Sequence, residues 1–204
     1  MRIFGWIIFI FFAVCIGLYP FLYFVIDLSD GFLSSKAPAL LQSTIWQSAF
    51  NVHILFGGIA MLTGWSQFSK KIRNKFLKFH RLLGKTYVIS VAISGLTGFY
   101  IALFATGGMV SALGFVGLAS AWLYTTTRAF LFIRAKDIEK HEQWMIRSYT
   151  VTFAAVTLRV WLPLSQIAGI EFVEAYRVVA WLCWVPNLLV AELIVMRKRK
   201  LKLA

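Results

Sequence analysis

The side chains best suited to chemistry in this chain are its three histidines, His53, His80 and His141, and a few polar residues embedded in long apolar runs: Gln47, Asn51, Arg128, Arg159, Asn187 and Glu192. A neutral imidazole offers one N–H donor and one lone pair, so it can pass a proton, accept a hydrogen bond or ligate a metal. Arginine keeps its proton, and inside an apolar medium it needs a pairing group, a polar ligand or water. Spacing argues against several other chemistries. No Ser-His-Asp or Cys-His arrangement, phosphate-binding glycine loop or metal-spaced Cys/His cluster is visible. Cys15 and Cys183 both lie in apolar runs, where a thiol behaves as a small hydrophobe, and imply no disulfide. Whether the protein is an enzyme is left open.

The elements that must position these residues are read from composition. Of 204 residues 60% are hydrophobic and 14% charged, against about 45–50% and about 25% in a soluble domain. About twenty apolar residues span a bilayer core, and six such stretches are predicted at about 4–26, 45–68, 82–105, 110–133, 146–167 and 175–196. The expected fold is all-α, one integral membrane bundle of six transmembrane helices, with loops too short for a second domain. The first stretch is too long for a signal-peptide core and lacks a small-residue cleavage site, so it reads as a retained helix, bent near Pro20.

A net charge of +13 would suit a nucleic-acid partner if the basic residues formed a binding stripe. They gather instead at 70–81, at 134–147 and in the tail at 197–202. Asp27 and Asp30, with Lys36, and the acidic pair Glu171 and Glu174 fall in the alternate connections. That asymmetry predicts cytoplasmic N and C termini in a multi-pass protein of the cell (plasma or inner) membrane, with membrane lipid and not nucleic acid as partner.

Topology gives each polar residue a depth, at 1.5 Å of rise per residue. His53 lies roughly 22 Å from the cytoplasmic end of the second stretch and Arg159 roughly 20 Å from that of the fifth. The two share a level, and Gln47, Asn51 and Asn187 are candidates to join them. Two readings stand: a site for a polar or anionic ligand, or a hydrogen-bond network that only fixes packing. Interruptions are expected near Pro163 and Pro186, and broken helices often border transport sites. Nearer the cytoplasm, Arg128 and Glu192 lie roughly 9 and 8 Å from their helix ends, so an ion pair between them is geometrically allowed and would most simply be structural. His80 and His141 share the cytoplasmic mouth. Imidazoles at equal depth on two helices are what a six-coordinate haem requires, while two solvated interfacial histidines are the plainer reading. Gly57, Gly58, Gly95, Gly98, Gly114 and Gly117 offer small surfaces for close helix approach.

Over nearly its whole length the chain resembles the predicted membrane proteins of domain-of-unknown-function family 2306. The shared pattern is His53 with Gly57, Gln67, His80-Arg81-x-x-Gly84, His141-x-x-Trp144-Met145-x-Arg147-Ser148, Leu158-Arg159 and Trp184-x-Pro186-Asn187. That name carries no activity. Residues His53 to Ala102 also resemble the cytochrome b561 superfamily of six-helix haem proteins, through His53-x-x-x-Gly57, a basic loop and His80-Arg81-x-x-Gly84. This second resemblance implies that His53 and His80 ligate different haems. The superfamily uses four ligand histidines, whereas this chain has three, so only His80 with His141 forms a same-level pair and two bis-histidine sites are excluded. Three functions follow: electron transfer through a haem b at His80 and His141 with a quinone or other reductant near Arg159; transport or small-molecule binding at His53, Arg159, Asn187 and Asn51; or a non-catalytic membrane scaffold.

Overall fold

Lipid offers no hydrogen bonds to the backbone, so a chain this apolar must satisfy its N–H and C=O groups internally. The computed structural model describes residues 3–22 and 32–203, and its regular elements there are helical, with no strand among the described residues. Helix α1 (Ile3–Leu18) continues into a 3-10 turn at Tyr19–Phe21 that contains Pro20. A 3-10 turn at Phe32–Ser35 and the short α2 (Pro38–Leu41) lead to α3 (Thr44–Gly64), which tightens into another 3-10 turn at Trp65–Phe68. After the short basic α4 (Lys70–Lys75) come α5 (Leu77–Ala102), α6 (Met109–Arg134), α7 (Ile138–Thr152), α8 (Ala154–Ile167), α9 (Phe172–Leu182) and α10 (Val185–Leu203). Asp27, Asp30 and the expected end of the first stretch lie outside the described residues.

Five helical stretches are long and apolar enough to cross a membrane: Ile3–Phe21, Thr44–Phe68, Leu77–Ala102, Met109–Arg134 and Phe172–Leu201. The stretch expected at about 146–167 differs. It is formed by α7 and α8, which meet at Phe153, and neither is long enough by itself. Its helix begins at Ile138, carries Glu139, Lys140, His141, Glu142 and Arg147, and is capped by the Asp137 side chain, which accepts from the Lys140 N–H at 3.0 Å. Of the two expected interruptions, the one near Pro186 is present and the one near Pro163 is corrected. Pro163 lies inside continuous α8, and the breaks fall at Phe153 and at Cys183–Trp184. Pro186 sits in the first turn of α10, where its missing N–H removes no helical bond.

The two breaks brace each other. The Thr157 hydroxyl donates to the Cys183 carbonyl at 2.5 Å, and Asn187 Nδ2 donates to the Thr150 carbonyl at 3.1 Å and to Thr157 Oγ1 at 3.3 Å. Between α5, α6 and α7 lies a buried polar knot: Tyr87 OH meets Ser148 Oγ at 2.6 Å and Thr152 Oγ1 at 2.8 Å, Ser148 meets Thr126 Oγ1 at 2.6 Å, and the Trp122 indole donates to Thr152 at 2.8 Å. Such bonds hold helices together where lipid provides no hydrophobic drive.

The Arg128–Glu192 pair that depth allows is not formed. Glu192 is held bidentately by Arg147 Nε and NH2, at 2.6 and 2.7 Å. Arg147 is on α7, which packs directly on α10, whereas the Arg128 guanidinium lies over aromatic rings of α6 and α7.

Close approach of α1 and α3 depends on Gly58, where an added Cβ would lie 2.6 Å from the Gly17 carbonyl oxygen. Gly58→Val should therefore lower stability by about 1–3 kcal/mol through overpacking. Thermal unfolding in detergent reads this, and an unchanged midpoint would contradict the contact.

Candidate functional site

His53 points from α3 toward α5, its ring packed on Gly98, where a Cβ would lie 2.7 Å from Cε1. Its Nδ1 is 2.8 Å from the Ser94 carbonyl oxygen, and the Ser94 hydroxyl donates to the His53 carbonyl at 2.8 Å. A carbonyl can only accept, so Nδ1 carries the proton and Nε2 keeps a lone pair. Nε2 meets no hydrogen-bond partner among the described residues.

His53 lines a partly open cavity of about 630 Å³ between the helices. Arg159 and Lys36 line it too, and its walls include Trp46, Phe50, Phe115, Trp122 and Tyr176. Gly57, Gly58, Gly95 and Gly98 also line it. Arg159 NH1 donates to the Ala155 carbonyl at 2.9 Å, and its guanidinium lies 4.4 Å from the Tyr19 ring centroid. Arg159 and His53 are near enough to interact electrostatically. The arrangement combines a cation, a neutral imidazole acceptor and an aromatic wall, and it can hold a molecule with an apolar body and a polar head.

The other residues named for this level go elsewhere. Asn51 is exposed, Gln47 is exposed with its amide donating to the Leu41 carbonyl, and Asn187 is occupied at the helix breaks. None of the three lines the cavity.

Lys36 was not anticipated. It is 8% exposed, and Nζ donates to the Phe104 carbonyl at 2.7 Å, just beyond the end of α5. Ser35 Oγ meets Thr106 Oγ1 at 3.0 Å beside it. Lys36 and Ala105 border both the interior cavity and a crevice lined by Ser43, Phe104 and Thr106, so Lys36 sits between the two spaces. A lone lysine in a polar connection gives no sequence signal of such burial.

His80 on α5 and His141 on α7 form a second cluster that does not line the cavity. His141 Nδ1 is 2.8 Å from the Ala129 carbonyl oxygen, which leaves Nε2 free of the proton. The Nδ1 of His80 is buried with no hydrogen-bond partner among the described residues, and His141, Arg73 and Arg81 lie within electrostatic reach of that ring. No group of three metal-ligating side chains gathers among the described residues, and a bis-imidazole haem site needs only two.

A family model described as "Predicted membrane protein (DUF2306)" matches residues 50–195, the stretch that holds all three histidines, Arg159 and Asn187. No curated protein and no solved structure matches the chain.

Burial lowers the Lys36 ammonium pKa to about 8, whereas in the unfolded chain it lies at about 10.4. The folded state binds this proton less tightly, so the contribution of Lys36 to stability is lowest below pH 8 and rises as pH climbs toward 10.4. The melting temperature in detergent should rise over that interval relative to Lys36→Met, which lacks the titration. Parallel profiles for the two proteins would contradict the burial.

Proposed function

The chain belongs to the DUF2306 family of predicted membrane proteins, and we propose that it binds a small amphiphilic molecule inside its helical bundle. The observation that carries this is the cavity of about 630 Å³ with His53 and Arg159 on its wall, within the range of about 300–1,000 Å³ usual for small-molecule sites. The ligand's head is a carboxyl or a quinol-type hydroxyl and carbonyl. Arg159 donates to its oxygen, His53 Nε2 accepts from a hydroxyl, and the apolar body lies along Trp46, Phe50 and Phe115.

In this reading α7 and α8 together form a sixth crossing, and both termini are cytoplasmic in the cell membrane. Contacts at one end of the bundle support it. Lys198 and Arg199 of the tail reach Glu142 at 2.6 Å and Gln143 at 2.7 Å on α7, while Arg73 of the basic α4 lies near His80, itself near His141. Three basic segments thus share one end, which the positive-inside rule assigns to the cytoplasm.

A second reading, a b-type haem between His80 and His141, is supported by the histidines themselves. Ligating histidines commonly donate their other N–H to a carbonyl, as His141 does to Ala129, and His80, whose Nδ1 meets no partner among the described residues, lies near it. Bound there, haem would supply one-electron chemistry. His53 has the same Nδ1 arrangement, but no second imidazole lines its cavity, so it is assigned to the ligand head.

Protein purified in mild detergent should carry an extractable amphiphile detectable by mass spectrometry. Its occupancy should fall about tenfold or more in Arg159→Gln, the loss expected of one charge-assisted hydrogen bond, and fall in His53→Ala, but persist in Asn51→Ala. Equal retention in Arg159→Gln, or no ligand in the unsubstituted protein, would contradict the proposal. Absorption spectra of protein from haem-sufficient cells, oxidised and dithionite-reduced, decide the second reading. A low-spin spectrum lost in His80→Ala and in His141→Ala, but kept in His53→Ala, supports it, and absence of a Soret band removes it.

A further inference from the structure

We infer that Arg128, on the face shared by α6 and α7, is a head-group site for the phosphate of a membrane phospholipid. The site is separate from the cavity and does not rest on the proposed function.

Arg128 lies six residues before Arg134, the end of α6, hence about 9 Å along the axis from that end. Its guanidinium is held by three rings, with CZ 6.0 Å from the Tyr124 centroid, 5.0 Å from Phe132 and 5.3 Å from Trp144. It makes no hydrogen bond or ion pair with any described residue. The carboxylates at the start of and along α7, which packs on α6, and on α10, which packs on α7, are engaged elsewhere: Asp137 by Lys140 at 2.9 Å, Glu142 by Lys198 at 2.6 Å, Glu192 by Arg147 at 2.6 Å, and Glu139 by the Gln143 amide at 3.3 Å. The Arg147 guanidinium also lies 4.7 Å from the Trp144 centroid. The rings therefore fix where the guanidinium sits while leaving its N–H donors unanswered.

The surroundings decide which anion completes it. Tyr124 and Leu131, on the same helix beside Arg128, are 56% and 54% exposed, an apolar surface suited to acyl chains. Tyr and Trp are the residues that mark the membrane interface. The Lys140 ammonium lies 5.3 Å from the Phe132 centroid, placing a second cation beside the same ring. A planar guanidinium matches two phosphate oxygens bidentately. A phosphodiester with acyl chains satisfies the charge and the apolar face together, whereas free phosphate satisfies only the charge.

The probes are phosphatidylglycerol, phosphatidylcholine and inorganic phosphate, added to delipidated protein in detergent, with bound lipid counted by native mass spectrometry and thermal stability followed in parallel. Wild-type protein should retain one tightly bound phospholipid and be stabilised by phosphatidylglycerol. Arg128→Gln should weaken that binding about fivefold or more. Trp144→Leu, which keeps the charge but removes a ring that holds it, should weaken it also, while Lys71→Gln in the separate basic loop should not. If Arg128→Gln does not fold, as judged by circular dichroism, Trp144→Leu against Lys71→Gln decides. Equal weakening in Lys71→Gln would show diffuse attraction and overturn the site. Stabilisation by inorganic phosphate as large as by lipid would overturn the lipid assignment, and unchanged lipid binding in the folded variants would overturn both.

Discussion

Lipid offers no hydrogen bonds, so polar groups carried into it must be answered by other parts of the chain or by something bound to it. Much of the architecture follows. The hydroxyls of Tyr87, Thr126, Ser148 and Thr152 close on one another and on the Trp122 indole, joining α5, α6 and α7. Where α7 gives way to α8 and α9 to α10, Thr157 and Asn187 take up carbonyls at the breaks. Glu192 could not remain in its helix unpaired, and Arg147 meets it with two nitrogens.

Against that background the unanswered groups carry information. His53 has one nitrogen committed to Ser94 and the other facing no partner among the described residues, beside a cavity whose walls are mostly apolar. Among the described residues Arg128 is caged by rings without an acceptor, and the buried His80 Nδ1 has no partner. The three lie at different places in the bundle, and each is read as the protein's half of an interaction: an amphiphile for the cavity, a phospholipid for the outer face of α6 and α7, a haem for the end where the basic segments gather.

The apolar runs made legible five helices long and apolar enough to cross a membrane, because length and hydropathy alone decide whether a helix can span a bilayer. The stretch expected at about 146–167 was less so, since α7 mixes charged residues with apolar ones and the chain breaks at Phe153, not at a proline. Rise per residue set His53 and Arg159 at one height, and both line the cavity. Height says nothing of direction. Asn51 precedes His53 by two residues, roughly 200° around the helix at 3.6 residues per turn, and so faces away from the cavity. The same gap explains Glu192: Arg128 stands at a suitable depth, but Arg147 is on the helix that packs against it. Lys36 was illegible for a different reason, because burial of a loop lysine depends on how the Phe32–Ser35 turn folds back over Phe104 and Thr106.

The central claim is that the space beside His53 and Arg159 exists to be occupied. A high-resolution cryo-electron microscopy map of the protein extracted with its native lipids tests this most directly. The account predicts elongated non-protein density along Trp46 and Phe50, with its head within hydrogen-bonding distance of Arg159 and of His53 Nε2. A map in which the surrounding side chains close over the space, or in which only water lies between the two residues, would contradict it.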